Sequence, residues 1–161
     1  MDSIKNYFNA EKYESVLFVL VGFAAITNAI YFLLKLKQPF YSGMACAFIA
    51  IALIQVVVGT SVWLRSPKDI ERVTNMIKSN NSKIQTEEIP RMHVVMKNFV
   101  VYRWVEIALM LLGLVACFCL PADTFWKGLG LGLFIQAAFM LLLDYFAESR
   151  GRVYLEFLKG I

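Results

Sequence analysis

Histidine occurs once, at His93, and cysteine three times, at Cys46, Cys117 and Cys119, with no CxxC and no paired Cys/His spacing. Zinc and haem sites need several such ligands at defined spacings, so no metal or cofactor is expected and the cysteines read as small apolar packing residues. Charge is sparse too: 17% of residues are Asp, Glu, Lys or Arg against 59% hydrophobic, a balance too apolar for an ordinary soluble domain. Equally missing are a Ser-His-Asp set, an HExxH helix, a phosphate-cradling glycine loop and a dinucleotide fingerprint, so nothing marks the chain as an enzyme and it is read as non-enzymatic. Gly128-x-Gly130-x-Gly132 falls within an apolar run, where helix packing explains it better than nucleotide binding. With no low-complexity tract and no Gly/Ser linker to divide it, the sequence 1–161 reads as one domain.

What the chain has instead is long apolar runs. A helix needs roughly 20 apolar residues to cross the hydrocarbon layer, and runs at 15–36, 41–64, 99–120 and 125–147 meet that need. The expected fold class is therefore an all-α integral membrane protein with four transmembrane helices. The first run is too long for a secretory signal, and Tyr31-Phe32-Leu33-Leu34 offers no small-residue cleavage site, so it is read as a retained span. The formal charge of +4 is arranged for topology rather than for nucleic acid. Lys5, Lys12, Arg65, Lys68, Arg72, Lys78, Lys83, Arg91, Lys97, Arg103, Arg150, Arg152 and Lys159 fall on the side shared by both termini and the middle segment. Lys35, Lys37 and Lys127 lie opposite. By the positive-inside rule both termini and the middle segment are cytoplasmic, most simply in the cell (cytoplasmic) membrane, with Trp63 as an interfacial anchor.

The middle segment, 66–97, is polar but patterned. Ile70, Val73, Met76 and Ile77 recur at spacings of three and four, predicting an amphipathic helix over 67–79. Asn80-Asn81-Ser82 should break it. Thr86-Glu87-Glu88 with Pro90 then supplies a cap and first-turn acids for a new helix that runs on into the third span. The result is a short cytoplasmic helical hairpin whose apolar faces can cover each other, lie on headgroups or bind another chain. Ile70, Val73, Met76, Ile77, Met92 and Met96 are the candidates for docking a partner. At the chain ends, 1–13, with Asp2-Ser3 as caps and Ile4, Tyr7 and Phe8 on one side, reads as an interfacial helix or else a frayed terminus, and the stretch beyond Gly151 with Val153, Tyr154, Phe157 and Leu158 as an interfacial helix.

The stretch from Phe40 to Arg65 is weakly echoed from Phe125 to Arg150: Phe40 aligns with Phe125, Gly43 with Gly128, Ala52 with Ala137 and Arg65 with Arg150. Each copy opens on an aromatic pair and follows with a small-xxx-small step, Gly43 to Ala47 and Gly128 to Gly132, the device that lets membrane helices approach closely. A duplicated helical hairpin would make helices 2 and 4 equivalent about an axis along the membrane normal, touching inside a monomer or across a subunit boundary. A disulfide from Cys46 to Cys117 or Cys119 would require helices 2 and 3 to be neighbours.

Polar residues inside the runs set the functional alternatives. Asn28, Gln55 and Gln136 lie within the spans; Asn28 is expected to bond to a neighbouring helix, a contact worth about 1 kcal/mol. Glu106 lies one turn, about 5 Å, deeper than Arg103, and Asp144 arrives at a similar depth from the antiparallel helix 4. Arg103, Glu106 and Asp144 are thus expected to cluster. The cluster is either an ion-paired register lock or a proton or cation site, since two carboxylates in one apolar site do not readily both ionise. The leading expectation is a membrane subunit that self-associates or docks a membrane or cytoplasmic partner through 66–97. A homo-oligomeric channel or proton-linked transporter using Glu106 and Asp144 is the alternative, and a lipid-facing enzyme is a third with no specific residue in its favour. Expected partners are the lipid bilayer and protein, not nucleic acid.

Overall fold

The structure, a computed structural model, describes residues 2–79 and 82–160; the side chains of Asp2 and Ser3, and with them the expected cap, lie outside the described residues, as do Asn80 and Asn81 of the expected break. The described residues are all-helical, with four helices long and apolar enough to cross a membrane. Helix α1 covers Asp2–Tyr31 and widens into a π-helical turn over Phe32–Leu36. Lys37, at a positive φ of 51°, then reverses the chain, and its N–H closes the turn on the Phe32 carbonyl at 3.2 Å. Helix α2 covers Pro39–Ser79, α3 covers Ile89–Cys119 after a π-helical turn at Ile84–Glu88, and α4 covers Phe125–Lys159. Between α3 and α4, Pro121 and a left-handed Asp123 make the bend, and the Thr124 hydroxyl accepts from the Lys127 N–H to start α4.

The helices outrun their apolar runs. At 1.5 Å per residue α2 extends about 60 Å, roughly twice the hydrocarbon thickness. It passes through Pro67 without ending, so 67–79 is the continuation of α2 and not the separate amphipathic helix its sequence suggests. Proline forfeits a backbone bond and crowds the preceding turn; in that turn the buried Ser66 hydroxyl donates to the Val62 carbonyl at 2.7 Å. The same correction applies at both chain ends. Residues 2–13 are the first turns of α1, and the stretch past Gly151 is the last part of α4, not interfacial helices lying apart from the spans.

What holds these extensions upright is each other. Ile4 and Phe8 of α1, Val73 and Met76 of α2, Ile84 and Met92 around the start of α3, and Tyr154, Leu155 and Leu158 of α4 form one buried cluster. Tyr7 stacks on Tyr154 with centroids 4.1 Å apart, and Phe8 meets Tyr154 edge-on. In water, fully burying each large aliphatic or aromatic side chain contributes about 1.5–3 kcal/mol, so this end of the bundle has a core of soluble-protein type.

The apolar half is held differently, by small residues. α1 packs along α2 and α3 along α4, while α2 and α4 share the central contact and the backbones of α2 and α3 do not approach closely among the described residues. A Cβ on Gly43 would strike the Phe125 carbonyl, and one on Gly128 the Phe40 carbonyl, while one on Gly132 would come within 2.7 Å of the Ala47 Cβ. Gly113 and Gly130 bring α3 onto α4, and Gly59 seats α2 against Ser15 and Val19 of α1. Close backbone approach of this kind is how helices associate where water supplies no drive. With α4 standing between α2 and α3, Cys46 cannot reach Cys117 or Cys119; all three cysteines are free.

Candidate functional site

Two polar assemblies stand out, one at the end that gathers the chain termini and one inside the apolar half. The first is built on Glu88, in the π-helical turn that opens α3. Its carboxylate is fully buried and accepts from Arg91 at 2.7 and 2.9 Å, from Arg72 of α2 at 2.8 Å and from the Tyr154 hydroxyl at 3.2 Å. Burial alone would push the carboxyl up, but the bonds from Arg91 and then Arg72 outweigh it and hold Glu88 below its usual range. Burial, with the Glu88 charge beside it, pushes the Tyr154 phenol above its own range. The arrangement is a buried ion pair with its lone pairs satisfied, which fixes geometry and offers no free group for chemistry. In the sequence Glu88 reads as a first-turn acid; the one local hint of its pairing is Arg91 three residues on, on the same helix face.

Nearby, Arg65 donates to Glu11 at 2.8 Å, and Arg150 pairs with Glu14, tying α2 and α4 to the lower turns of α1. Lys12 lies 5.3 Å above the Trp63 ring. His93 is exposed, and no three His, Cys, Asp or Glu converge as metal ligands among the described residues.

The second assembly is the expected trio, with a different partnership. Arg103 bonds to Glu148, not to Glu106 or Asp144, and Glu148 in turn accepts from Arg152 at 2.8 Å. The reason is register: in antiparallel α3 and α4, Arg103 lies one turn nearer the terminal end than Glu106, and Glu148 lies one turn nearer it than Asp144. Like levels pair. Glu106, 2% exposed, is left facing the carboxyl of Asp144, and no other side chain donates to it among the described residues. Asp144 lines a cleft between α3 and α4.

The mid-span amides divide. Gln55 is fully buried against Gly22 of α1, and neither its oxygen nor its nitrogen is bonded. Gln136 is 2% exposed with its oxygen unbonded. The α2–α4 register set by Gly132 on Ala47 puts Gln136 level with Ile51, one turn from Gln55. Asn28 does not reach another helix: it is exposed and donates to the Ala24 carbonyl of its own helix at 2.8 Å. Its position on the outward side of α1 leaves it no neighbour.

The residues singled out for docking are largely occupied. Val73, Met76 and Met92 are inside the terminal cluster, and Ile70, Ile77 and Met96 pack against it. Gly43, Ala47, Gly128 and Gly132 all lie in the α2–α4 contact within one chain. Compared with family models, with curated proteins and with solved structures, the chain gives no match to any of the three.

Proposed function

We propose that this chain is a four-span membrane protein of the channel or proton-linked transporter type, in which Glu106 and Asp144 form a proton-exchanging pair. In this reading the apolar half crosses the cell membrane, and the terminal cluster, both chain ends and the α2–α3 turn stand in the cytoplasm, where the excess of Lys and Arg belongs. The observation that carries it is the state of Glu106: an ionisable side chain buried in an apolar span, facing a second carboxyl with which it can share one proton, and with no arginine or lysine paired to either among the described residues. A register lock would pair opposite charges, and the arginine that could do so is committed to Glu148. Intramembrane carboxyls without a fixed counter-charge mark proton and ion pathways. Gln55 and Gln136, further along the same interior with free hydrogen-bonding capacity, supply polar stepping points toward the other face.

α2 and α4 occupy the centre and α1 and α3 flank them, the arrangement that a duplicated hairpin would give. A subunit that docks a partner through 66–97 is favoured less, because the apolar faces it would use are covered by Ile4, Phe8, Tyr154 and Leu158. The test is proton flux in vesicles reconstituted with purified protein. Glu106→Gln and Asp144→Asn should each abolish flux while leaving the melting temperature near that of the parent. Parental flux in both variants would rule the pair out.

A further inference from the structure

The cleft that Asp144 lines has a volume of about 430 Å³ and is walled by α3 and α4 alone, with Phe99, Ile107, Leu141 and Leu142 as its apolar surface. That volume suits a drug-sized organic molecule, for which clefts of about 300–1,000 Å³ are usual. The cleft opens sideways between the two helices, where Leu142 and Tyr145 are 53% and 67% exposed, so an occupant can enter from the lipid.

Its charges are lopsided. Arg103 lines it but is bound to Glu148, which also holds Arg152, so neither arginine is paired with Asp144. Asp144, with Glu106 behind it, has no cation of its own. Glu106 lies on the wall helix between the cleft residues Arg103 and Ile107, outside the cleft lining, and its carboxyl faces Asp144. No other charge reaches the pair from the neighbouring helices: α2 carries none between Pro39 and Leu64, and the charges of α1 nearest to α4 are those of Glu14, which holds Arg150, and Glu11, which holds Arg65.

We propose that this cleft binds a hydrophobic organic cation taken from the cytoplasmic leaflet, with Asp144, backed by Glu106, as its counter-charge. The proposal rests on the proton-exchange reading and names what displaces the proton. An anion in apolar surroundings must be neutralised by a proton or by a cation. A small inorganic ion needs a shell of oxygens that this cleft does not provide, whereas a cation wrapped in hydrocarbon matches the apolar walls and gains from the Phe99 and Tyr145 rings.

The probe is methyltriphenylphosphonium, with uncharged triphenylphosphine oxide as its control, added to the full chain in phosphatidylcholine nanodiscs. The cation should bind saturably, release protons to a pH dye as it binds, and bind progressively more weakly as the medium is acidified. Asp144→Asn should weaken it by about thirtyfold or more, the loss expected when one partner of a buried charge pair is removed. Leu142→Trp, which fills the cleft and leaves both carboxyls in place, should weaken it too. Equal saturable binding of the uncharged control, or parental affinity in Asp144→Asn, overturns the proposal. No saturable binding of the cation, with proton flux still dependent on Glu106 and Asp144, overturns the ligand and leaves the proton pair standing. Absence of both removes the two together.

Discussion

Tyr154 near the end of α4 donates a hydrogen bond to Glu88 at the opening of α3, 3.2 Å away and 66 residues distant in sequence. Through Arg72 and Arg91 the same carboxylate reaches α2 and its own helix, and through the Tyr7–Tyr154 stack the knot extends to α1. One acid thus touches, directly or at one remove, all four helices. Glu88→Ala leaves Arg91 and a buried phenol without their acceptor, and Arg72 with Asp69 alone. Breaking a fully buried pair costs about 3–5 kcal/mol, and because Arg72 and Arg91 are 35% and 28% exposed the expected loss is nearer 2–3 kcal/mol. Thermal melting in detergent checks it, and a change within error would contradict the knot's role. Tyr154→Phe, which removes one neutral donor, should cost about 1 kcal/mol.

The same carboxylate gives a pH dependence. Its folded value is held below the usual 4.5, so folding favours the ionised form, and the stabilisation is fully present above the unfolded value. It is lost as the medium is acidified through the lower, folded value. Melting temperature should therefore fall below about pH 4.5, and the part due to Glu88 should vanish in Glu88→Gln. An identical acid limb in that variant would assign the effect to other groups.

The α2–α4 contact is steric and should tolerate no side chain. Gly43→Ala or Gly128→Ala pushes a methyl into a backbone carbonyl of the facing helix, which overpacking data put at about 1–3 kcal/mol. Gly160→Ala, where the nearest atom is 3.5 Å away, is the control and should be neutral. Equal melting of all three would mean the helices are not in this contact.

Cross-linking distinguishes the helix order. In a cysteine-free background, Phe48→Cys with Ile135→Cys, which replace large side chains of one packed cluster on α2 and α4, should cross-link within one chain. The natural Cys46 with Cys117 should not, because α4 intervenes. The reverse pattern would place α2 beside α3.

Some of this was legible in the sequence and some was not, for physical reasons. An apolar run of spanning length is a one-dimensional signal, and Gly43 and Gly128 announce close approach by their spacing alone. The terminal core is different in kind. Ile4, Val73, Met92 and Leu158 each belong to a short amphipathic stretch that could as well lie on headgroups, and only the meeting of four helix ends decides against that. The helix expected over 67–79 is present, but its apolar spacing does not say that it continues α2 through Pro67; burial of Val73 and Met76 against the other helix ends does. The partner of Arg103 turned on a shift of one turn between two helices, which no single-chain pattern encodes. Gly113, which seats α3 on α4, had no small-xxx-small companion in its own run to mark it.

The account stands on where the bilayer lies along these helices, since Glu106 and Asp144 are an intramembrane pair only if the apolar half is inside it. Single cysteines placed at Lys37 and Asp123 on one side, and at Lys83 and Lys159 on the other, in a cysteine-free background, test this in intact cells with a membrane-impermeant thiol reagent. The account predicts labelling from outside at the first two and, at the second two, only after the cells are opened. Labelling of Lys83→Cys or Lys159→Cys from outside would contradict it.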